Sequence, residues 1–256
     1  MKNTINPIPG ILYKYVEFDG AEKILCNKTL KATPPDKFND PFELLARSFT
    51  NATPDKVINY CITPSDESYK NIIANESIKQ GIMSFFNDNE AIFDINVSLV
   101  KQVSSFFGLT CFTSKNDNIL MWSHYAKSHT GVAIGFDSKL LNGKFFRVKY
   151  HSERIDIPLE EANKPESICN LISQKALDWK YEDEYRAVVL LNSCDKVSDS
   201  YLYSFDKKAI KEIVFGLKTL PESQENLADY VKKEYGDSVA IKNAKLHKTE
   251  YKILIS

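Results

Sequence analysis

Residues 179–191 read WKYEDEYRAVVLL, an acidic segment that leads into an apolar strand. Its second half is rich in Tyr, Val and Leu and is typical of a β-strand. The next strand pattern, AIKEIVFG at 209–216, follows with no helical pattern between the two. Strand and helix patterns therefore do not alternate regularly. This disfavours a doubly wound parallel sheet and predicts a mixed α+β fold.

Further strand and helix patterns lie on both sides of this segment. Helices are predicted at about 21–27, 119–127, 158–178 and 223–235. Apolar residues at three- and four-residue steps make 54–107 helical throughout. We therefore predict one α+β domain over 1–256 that carries a helical insertion at 54–107. The remaining strand patterns are ILYKYVEF (11–18), TLKAT (29–33), GLTCFTS (108–114), GVAIGFD (131–137), KFFRVKY (144–150) and two near 238–243 and 251–255.

The composition excludes several classes of protein. The 33 basic and 34 acidic residues give a net charge of −1, so no global field indicates a nucleic acid or a membrane surface. Five cysteines, odd in number and without a CxxC pair, disfavour a disulfide framework and a zinc knuckle. The N-terminus has no signal-peptide pattern, and no apolar run reaches the roughly 20 residues that span a bilayer. We predict a reduced, cytoplasmic protein with no membrane partner.

No P-loop, GxGxxG, HExxH or GxSxG motif is present. His124 and His129 are five residues apart and do not share a helical face, so no metal site is predicted. The clusters that remain are LYKYV (12–16), FNDPFE (38–43), CFTSKNDNILMWSHYA (111–126) and WKYEDEYR (179–186).

In order and content these clusters, together with GVAIGFD and IKEIVFG (210–216), resemble the bacterial family known as domain of unknown function 2971. Its members begin with a YKY-type strand and continue with FNDPFE, a CFS-type strand, MWSHYA, GVxIGFD, WxYExEWR and IxEIVFG. The resemblance covers most of the chain except 54–107. Because this family has no named function, the resemblance suggests a family for the chain but no activity.

A second, looser resemblance supplies the activity. LYKYV, CFTS and YEDEYR stand in the order found in the ADP-ribosyltransferase superfamily, which has a basic or aromatic first strand, a Ser/Thr-rich strand and a late strand opening with Glu-x-Glu. The resemblance implies a split β-sheet and NAD as the substrate. Cleavage of nicotinamide from NAD passes through an oxocarbenium-like ribose cation, which a fixed carboxylate stabilises. By this analogy Glu184 binds the ribose and stabilises the cation, and Glu182 orients or deprotonates the acceptor.

On a strand, Glu182, Glu184 and Arg186 would share one face, and Asp183 would point to the other. Two neighbouring acids raise each other's pKa and Arg186 opposes this, so the ionisation of the pair stays open. In the ordinary alternative Glu182 and Arg186 form an ion pair while Glu184 is solvated. We expect Asp183 to be replaceable.

The same analogy predicts the residues that bind the cofactor. Lys14, which faces away from its two tyrosine neighbours, would contact the NAD phosphates or ribose, and we expect it to line one cleft with Thr113 and Glu184. If the three residues lay on different faces, the NAD hypothesis with Lys14 would fail. Each of the four clusters also has an ordinary structural interpretation. The tyrosines of LYKYV would be core residues beside a surface lysine, and CFTS would be a plain strand end. FNDPFE would form an Asx-type turn held by two buried phenylalanines, and MWSHYA would be a packed helix. The predicted cofactor-binding residues are Lys14, Tyr13, Tyr15, Thr113, Ser114, Asn39 and Tyr125.

The leading hypothesis is therefore an enzyme, an NAD-dependent ADP-ribosyltransferase that modifies a protein or a nucleic acid. Such activities serve bacteria as toxins or in phage defence, so an antitoxin or other regulatory partner is an expectation of the same resemblance. One alternative is a nuclease or other phosphate-processing enzyme that uses Glu182, Glu184, Asp40 and His124 with a divalent metal. The other is a non-catalytic module that binds a partner through FNDPFE and MWSHYA.

Overall fold

The structure, a computed structural model, describes residues 8–49, 51–62, 65, 67–161 and 164–256. The chain divides into two compact units. The sheet unit comprises the described part of Met1–Pro34 together with Phe106–Val148 and Asp178–Ser256. The helical unit comprises Pro35–Ser105 and Lys149–Leu177. A single domain with an insertion at 54–107 stays a prediction.

The secondary structure is mixed in both type and order. The α-helices are α1 Phe18–Asn27, α2 Pro54–Cys61, α3 Glu67–Ile73, α4 Glu76–Asn87, α5 Asn89–Ser104, α6 Ile119–Tyr125, α7 Pro165–Ile172 and α8 Pro221–Tyr235. The strands are β1 Ile11–Val16, β2 Thr29–Ala32, β3 Arg47–Ser48, β4 Phe107–Thr113, β5 Val132–Asp137, β6 Lys144–Arg147, β7 Lys149–His151, β8 Asp156–Ile157, β9 Gln174–Ala176, β10 Glu184–Leu190, β11 Asp195–Val197, β12 Ser200–Ser204, β13 Ile210–Phe215, β14 Ala240–Leu246 and β15 Ile253–Ile255.

The sheet unit is built on an eight-stranded sheet in the order β15-β14-β13-β5-β1-β4-β10-β6. The pairs from β13 to β6 are antiparallel, whereas β13 and β14 run parallel. A smaller sheet, β11-β12-β2, belongs to the same unit. The predicted mixed α+β class is therefore confirmed.

Each face of the large sheet carries its own apolar core. Alternation along β1 sends Leu12 into the larger core, with Phe112 and Ile134, and sends Tyr13 and Tyr15 to the opposite face. Helix α6 covers that second face, which we call the α6 face. The Trp122 ring is buried there and lies edge-on to Tyr15, with 4.9 Å between ring centroids. Helix α6 is therefore fixed by aromatic packing against β1.

Capping residues define the helices of the helical unit. Thr53, Asn75 and Asp88 precede α2, α4 and α5, and each accepts a hydrogen bond from a backbone N–H of the first turn. Helices α2–α5 lie between Pro54 and Ser104, where the periodicity predicts helix; residues 63, 64 and 66 of that region are outside the described residues. Over the described part of the chain, no helix is long and apolar enough to cross a membrane.

Three predictions made from the sequence are wrong, two about secondary structure and one about burial. The helix expected at 158–178 is reduced to α7, because residues 174–176 form β9 and pair with β7. The strand expected at 144–150 is divided at Val148. The Val148 N–H donates to the Glu184 carbonyl, whereas the Lys149 N–H donates to the Ser173 carbonyl. Phe42 is not a buried anchor, since 56% of it is exposed.

Candidate active site

Three motif residues that are far apart in the sequence meet in one row of the large sheet. Tyr13 on β1 lies opposite Thr113 on β4, and Thr113 lies opposite Glu184 on β10. Residues directly opposite each other on paired strands project from the same face. Neighbouring strands are about 4.8 Å apart, so the backbones of Tyr13 and Glu184 are separated by about 10 Å. We call these three residues the cross-strand row.

Glu184 is fixed in this row by Arg186, two residues further along β10. The Arg186 Nε lies 2.8 Å from Oε1 of Glu184, and its second terminal nitrogen lies 3.3 Å from Oε2. Only 2% of Glu184 is exposed, and Arg186 is completely buried. The part of the ordinary alternative in which Glu184 is solvated is therefore wrong. Two parallel charge-assisted bonds hold the carboxylate in one orientation.

Glu182 does not share a strand face with Glu184, because β10 begins only at Glu184. Glu182 ends a 3-10 helix that spans Leu177–Glu182, and the residue between the two acids, Asp183, has a φ of 43°. The left-handed residue breaks the alternation on which the prediction relied. Glu182 is nevertheless buried, and it accepts a hydrogen bond from the hydroxyl of Tyr125 at the end of α6.

Tyr125 connects the two acids electrostatically. Burial raises the pKa of its phenol above the ordinary value, and the carboxylates of Glu182 and Glu184 raise it further. The phenol therefore stays protonated and donates at neutral pH. The structure thus brings together three of the predicted residues, Glu182, Glu184 and Tyr125.

Ser114 is held by Asp183, which the sequence analysis set aside. The Ser114 hydroxyl donates to one carboxylate oxygen of Asp183, and an Arg147 nitrogen lies 3.2 Å from the other. Burial alone would raise the pKa of Asp183, but the hydrogen bonds from Ser114 and Arg147 outweigh it and hold the pKa below its usual value. Asp183 thus positions Ser114, next to the buried Thr113 of the cross-strand row.

The ring of Tyr13 extends away from Glu184, across β5 towards β13. Its hydroxyl donates to Glu212, 3.2 Å away, and burial followed by the Glu212 charge raises the pKa of Tyr13 to about 12. Gly135 makes this possible, since a Cβ there would lie 3.0 Å from a Tyr13 ring carbon. Asn116 and Lys242 also bind the Glu212 carboxylate, each at 3.2 Å. Sequence reasoning missed Glu212, although an acid inside the apolar motif IKEIVFG was a usable signal.

Lys14 does not line one cleft with Thr113 and Glu184, so that prediction is wrong. Alternation along β1 places Lys14 on the opposite face from Tyr13 and therefore from the rest of the row. Its ammonium donates to the Cys111 carbonyl at 3.3 Å and lies 5.8 Å from the centre of the Phe112 ring. Burial lowers the pKa of Lys14, and the charge of Glu184 opposes the shift.

The remaining predicted residues have other surroundings. Tyr15 donates to the Lys115 carbonyl at 3.1 Å and packs on Trp122, so it is a core residue of the α6 face. Asn39 lies in the helical unit and is exposed. The Asx-type turn expected in FNDPFE is present, with Asp40 accepting from the Phe42 N–H at 2.9 Å.

His124 and the acids do not form a metal-binding cluster in the described ranges. His124 Nδ1 lies 3.0 Å from the Tyr181 hydroxyl. Among the residues that the structure describes, no group of three or more His, Cys, Asp or Glu side chains is arranged to hold a metal ion.

Comparison with known proteins gives one match. Residues 121–187 match the model of the family described as "Protein of unknown function (DUF2971)", which supports the resemblance drawn from the motifs. The matched segment covers about a quarter of the chain and includes Tyr125, Glu182, Glu184 and Arg186. No curated protein and no solved structure matches the chain.

Proposed function

We propose that this chain is an NAD-dependent ADP-ribosyltransferase with a split sheet of the type found in that superfamily, acting on a macromolecular acceptor. The observation that carries the proposal is the cross-strand row. Tyr13, Thr113 and Glu184 come from the aromatic first strand, the Ser/Thr strand and the Glu-x-Glu strand of the resemblance, and they share one level and one face of the sheet. Lys14, the residue first predicted for this position, lies on the other face of the sheet, so the hypothesis that used it fails. The proposal rests instead on Tyr13, which lies opposite Thr113.

Glu184 supplies the fixed carboxylate that the reaction requires. When the bond between ribose and nicotinamide breaks, its electron pair leaves with the nicotinamide nitrogen and a cation develops on the ribose. A carboxylate already oriented by Arg186 stabilises that cation without reorganising. The acceptor nucleophile then forms a bond to the same ribose carbon.

Glu182 acts on the side of the acceptor. Its carboxylate is buried and bound by the Tyr125 hydroxyl, so it can take the proton that the acceptor nucleophile loses. Tyr125 positions Glu182 through this hydrogen bond. A pair in which one acid serves the ribose and the other serves the acceptor matches the roles that the resemblance assigns.

The test is to incubate the protein with NAD labelled in its ADP-ribose part and with cell extract, and to measure nicotinamide release and labelling of macromolecules. Glu184→Gln keeps one acceptor oxygen for Arg186 and removes the charge, so we expect a loss on the order of 10² or more. Asp40→Asn is the matched control, because it removes a buried carboxylate charge in the helical unit and still accepts from the Phe42 N–H.

The control variant should keep activity within about tenfold, since Asp40 has no part in the NAD chemistry of this proposal. If the folded wild type neither binds NAD, releases nicotinamide nor labels any macromolecule, the proposal is lost. Nuclease digestion and proteolysis of the labelled product then identify the acceptor as nucleic acid or protein. A role as a toxin or defence effector, an antitoxin and a cytoplasmic location stay expectations of the resemblance.

A further inference from the structure

A cavity of about 810 Å³ lies in the sheet unit beside the connection between β14 and β15. Its other walls come from the start of α6, from His129 and from the residues that follow β13. Strand β14 is five strands away from β10 in the sheet order, or about 24 Å at the usual strand spacing. Glu182 and Glu184 do not line the cavity, although α6 contributes to both places, with Ile119 in the cavity wall and Tyr125 bound to Glu182. The volume suits a ligand of nucleotide size.

The lining combines an apolar floor with a basic rim. Ile119, Leu217 and Ile253 contribute the apolar surface. The charged lining residues are the lysines at 218, 248 and 252 and a single acid at position 250. All three lysines are exposed. The rim is thus locally positive in a chain whose net charge is −1, and such a surface attracts anions.

An exposed aromatic side chain stands at the same rim. Tyr251 is fully exposed, and Leu246, which also lines the cavity, is 72% exposed. Proteins that bind single-stranded nucleic acids use exposed aromatic rings to stack on the bases and lysines to attract the phosphates. Tyr251 and the rim lysines provide this combination.

The connection between β14 and β15 holds these side chains in defined places. The His247 N–H donates to the Lys252 carbonyl at 2.9 Å. The Nδ1 atom of His247 accepts from the backbone N–H groups of Thr249 and Glu250 at 3.3 and 3.1 Å. Because the loop is already ordered by these bonds, a ligand does not have to order it on binding.

His129 also lines the cavity. Its Nδ1 is buried and has no hydrogen-bond partner among the described residues, while Nε2 lies 3.1 Å from the Ser123 hydroxyl. The backbone here has a φ of 71°, and the His129 carbonyl accepts from the Lys218 N–H at 2.9 Å.

We propose that this cavity binds a nucleotide, with its phosphate at the lysine rim and its base against Tyr251. The nucleotide can be free or can be one unit of a single-stranded nucleic acid, since both present the same base and phosphate. This site goes beyond the proposed NAD chemistry and does not depend on it.

The test is calorimetric titration of the full chain with uridine monophosphate and, separately, with a short single-stranded oligouridylate. Uridine probes are chosen because they lack the adenine and nicotinamide of NAD. The variants are Lys252→Glu and Tyr251→Ala, both at exposed positions where the fold does not depend on the side chain. The control is Lys139→Glu, the same charge reversal at an exposed lysine of the sheet unit that does not line the cavity.

We expect the wild type to bind, with affinity falling as salt rises. Lys252→Glu and Tyr251→Ala should each weaken binding by about tenfold or more, which corresponds to about 1.4 kcal/mol, and Lys139→Glu should not. An oligonucleotide bound much more tightly than the monophosphate assigns the site to nucleic acid, and equal affinities assign it to free nucleotide. Absence of binding by the folded wild type at millimolar probe, or equal affinities for all three variants, overturns the proposal. Glu184→Gln should bind both probes normally, so loss of the NAD proposal would leave this one standing.

Discussion

Glu184 and Arg186, two residues apart on β10, form a buried ion pair in which two nitrogens of one guanidinium face both oxygens of one carboxylate. The two side chains project from the same face because β-strand side chains alternate. Both charges have left water, so each contributes to stabilising the other. The carboxylate at the end of the cross-strand row is thus oriented by a residue of its own strand.

Replacing Arg186 by Met should destabilise the protein strongly. The substitution keeps much of the buried volume but removes the guanidinium that faces the buried Glu184 carboxylate. Removing one member of a buried ion pair typically costs about 3–5 kcal/mol. The free energy of unfolding in urea measures the effect. Arg147→Met is the matched control, since Arg147 pairs with Asp183 while 46% of its side chain is exposed, and such a pair is worth about 0–1 kcal/mol. Equal losses in the two variants would contradict a special role for the buried pair.

Tyr125→Phe should separate the function of Glu182 from that of Glu184. Removing the hydroxyl deletes one charge-assisted hydrogen bond to the buried Glu182 carboxylate, at a cost of about 1–3 kcal/mol. If Glu182 serves the acceptor, transfer of ADP-ribose should fall more than hydrolysis of NAD, and both rates are measured on one sample.

Tyr251→Phe is the control for that change, because it removes a fully exposed hydroxyl. Its unfolding free energy and both rates should match the wild type. A Tyr125→Phe variant that loses transfer and hydrolysis in equal proportion would show that Tyr125 supports the whole site and not the acceptor side.

Gly135→Ala should disturb the Tyr13 end of the row. The new methyl carbon would lie 3.0 Å from a Tyr13 ring carbon and 3.0 Å from the Glu212 Cβ, so the ring must move. Overpacking of this kind typically costs about 1–3 kcal/mol. Gly20→Ala in α1 is the control, because its methyl group would meet only ordinary contact at 3.5 Å and alanine favours helix by about 0.5–1 kcal/mol. Thermal unfolding of the two variants should shift in opposite directions.

Local patterns predicted the strands but not how they pair. GLTCFTS and EYRAVVLL were recognisable because β-branched and aromatic residues cluster within each segment. That Thr113 lies opposite both Tyr13 and Glu184 depends on contacts between segments about 70 to 100 residues apart, which no local pattern encodes. Side-chain alternation along β1 correctly predicts that Lys14 and Tyr13 lie on opposite faces of the sheet. It does not predict which of these faces carries Glu184.

The error at Glu182 has a local cause. The prediction applied the side-chain alternation of a β-strand to the whole of WKYEDEYR. The strand begins only at Glu184, because Leu177–Glu182 is a 3-10 helix and Asp183 has a left-handed backbone conformation. Aspartate adopts this conformation more readily than most residues, so the acid in the middle of the run was itself a signal for a turn. The same residue then binds Ser114 and Arg147, which only the tertiary structure brings near.

Stability should fall as the pH rises from about 10 to about 12. Burial and Glu212 raise the pKa of Tyr13 from 10.0 to about 12, and burial raises that of Tyr203 to about 12. In this window the unfolded chain loses phenolic protons that the folded chain keeps, so the unfolded state binds fewer protons and the free energy of unfolding decreases with pH. The contribution of each phenol is complete below pH 10 and is lost as the pH approaches 12. The free energy of unfolding in urea should decline less steeply with pH for Tyr13→Phe than for the wild type. The control Tyr251→Phe should decline as steeply as the wild type. Parallel curves for Tyr13→Phe and the wild type would mean that folding does not raise the pKa of the Tyr13 phenol.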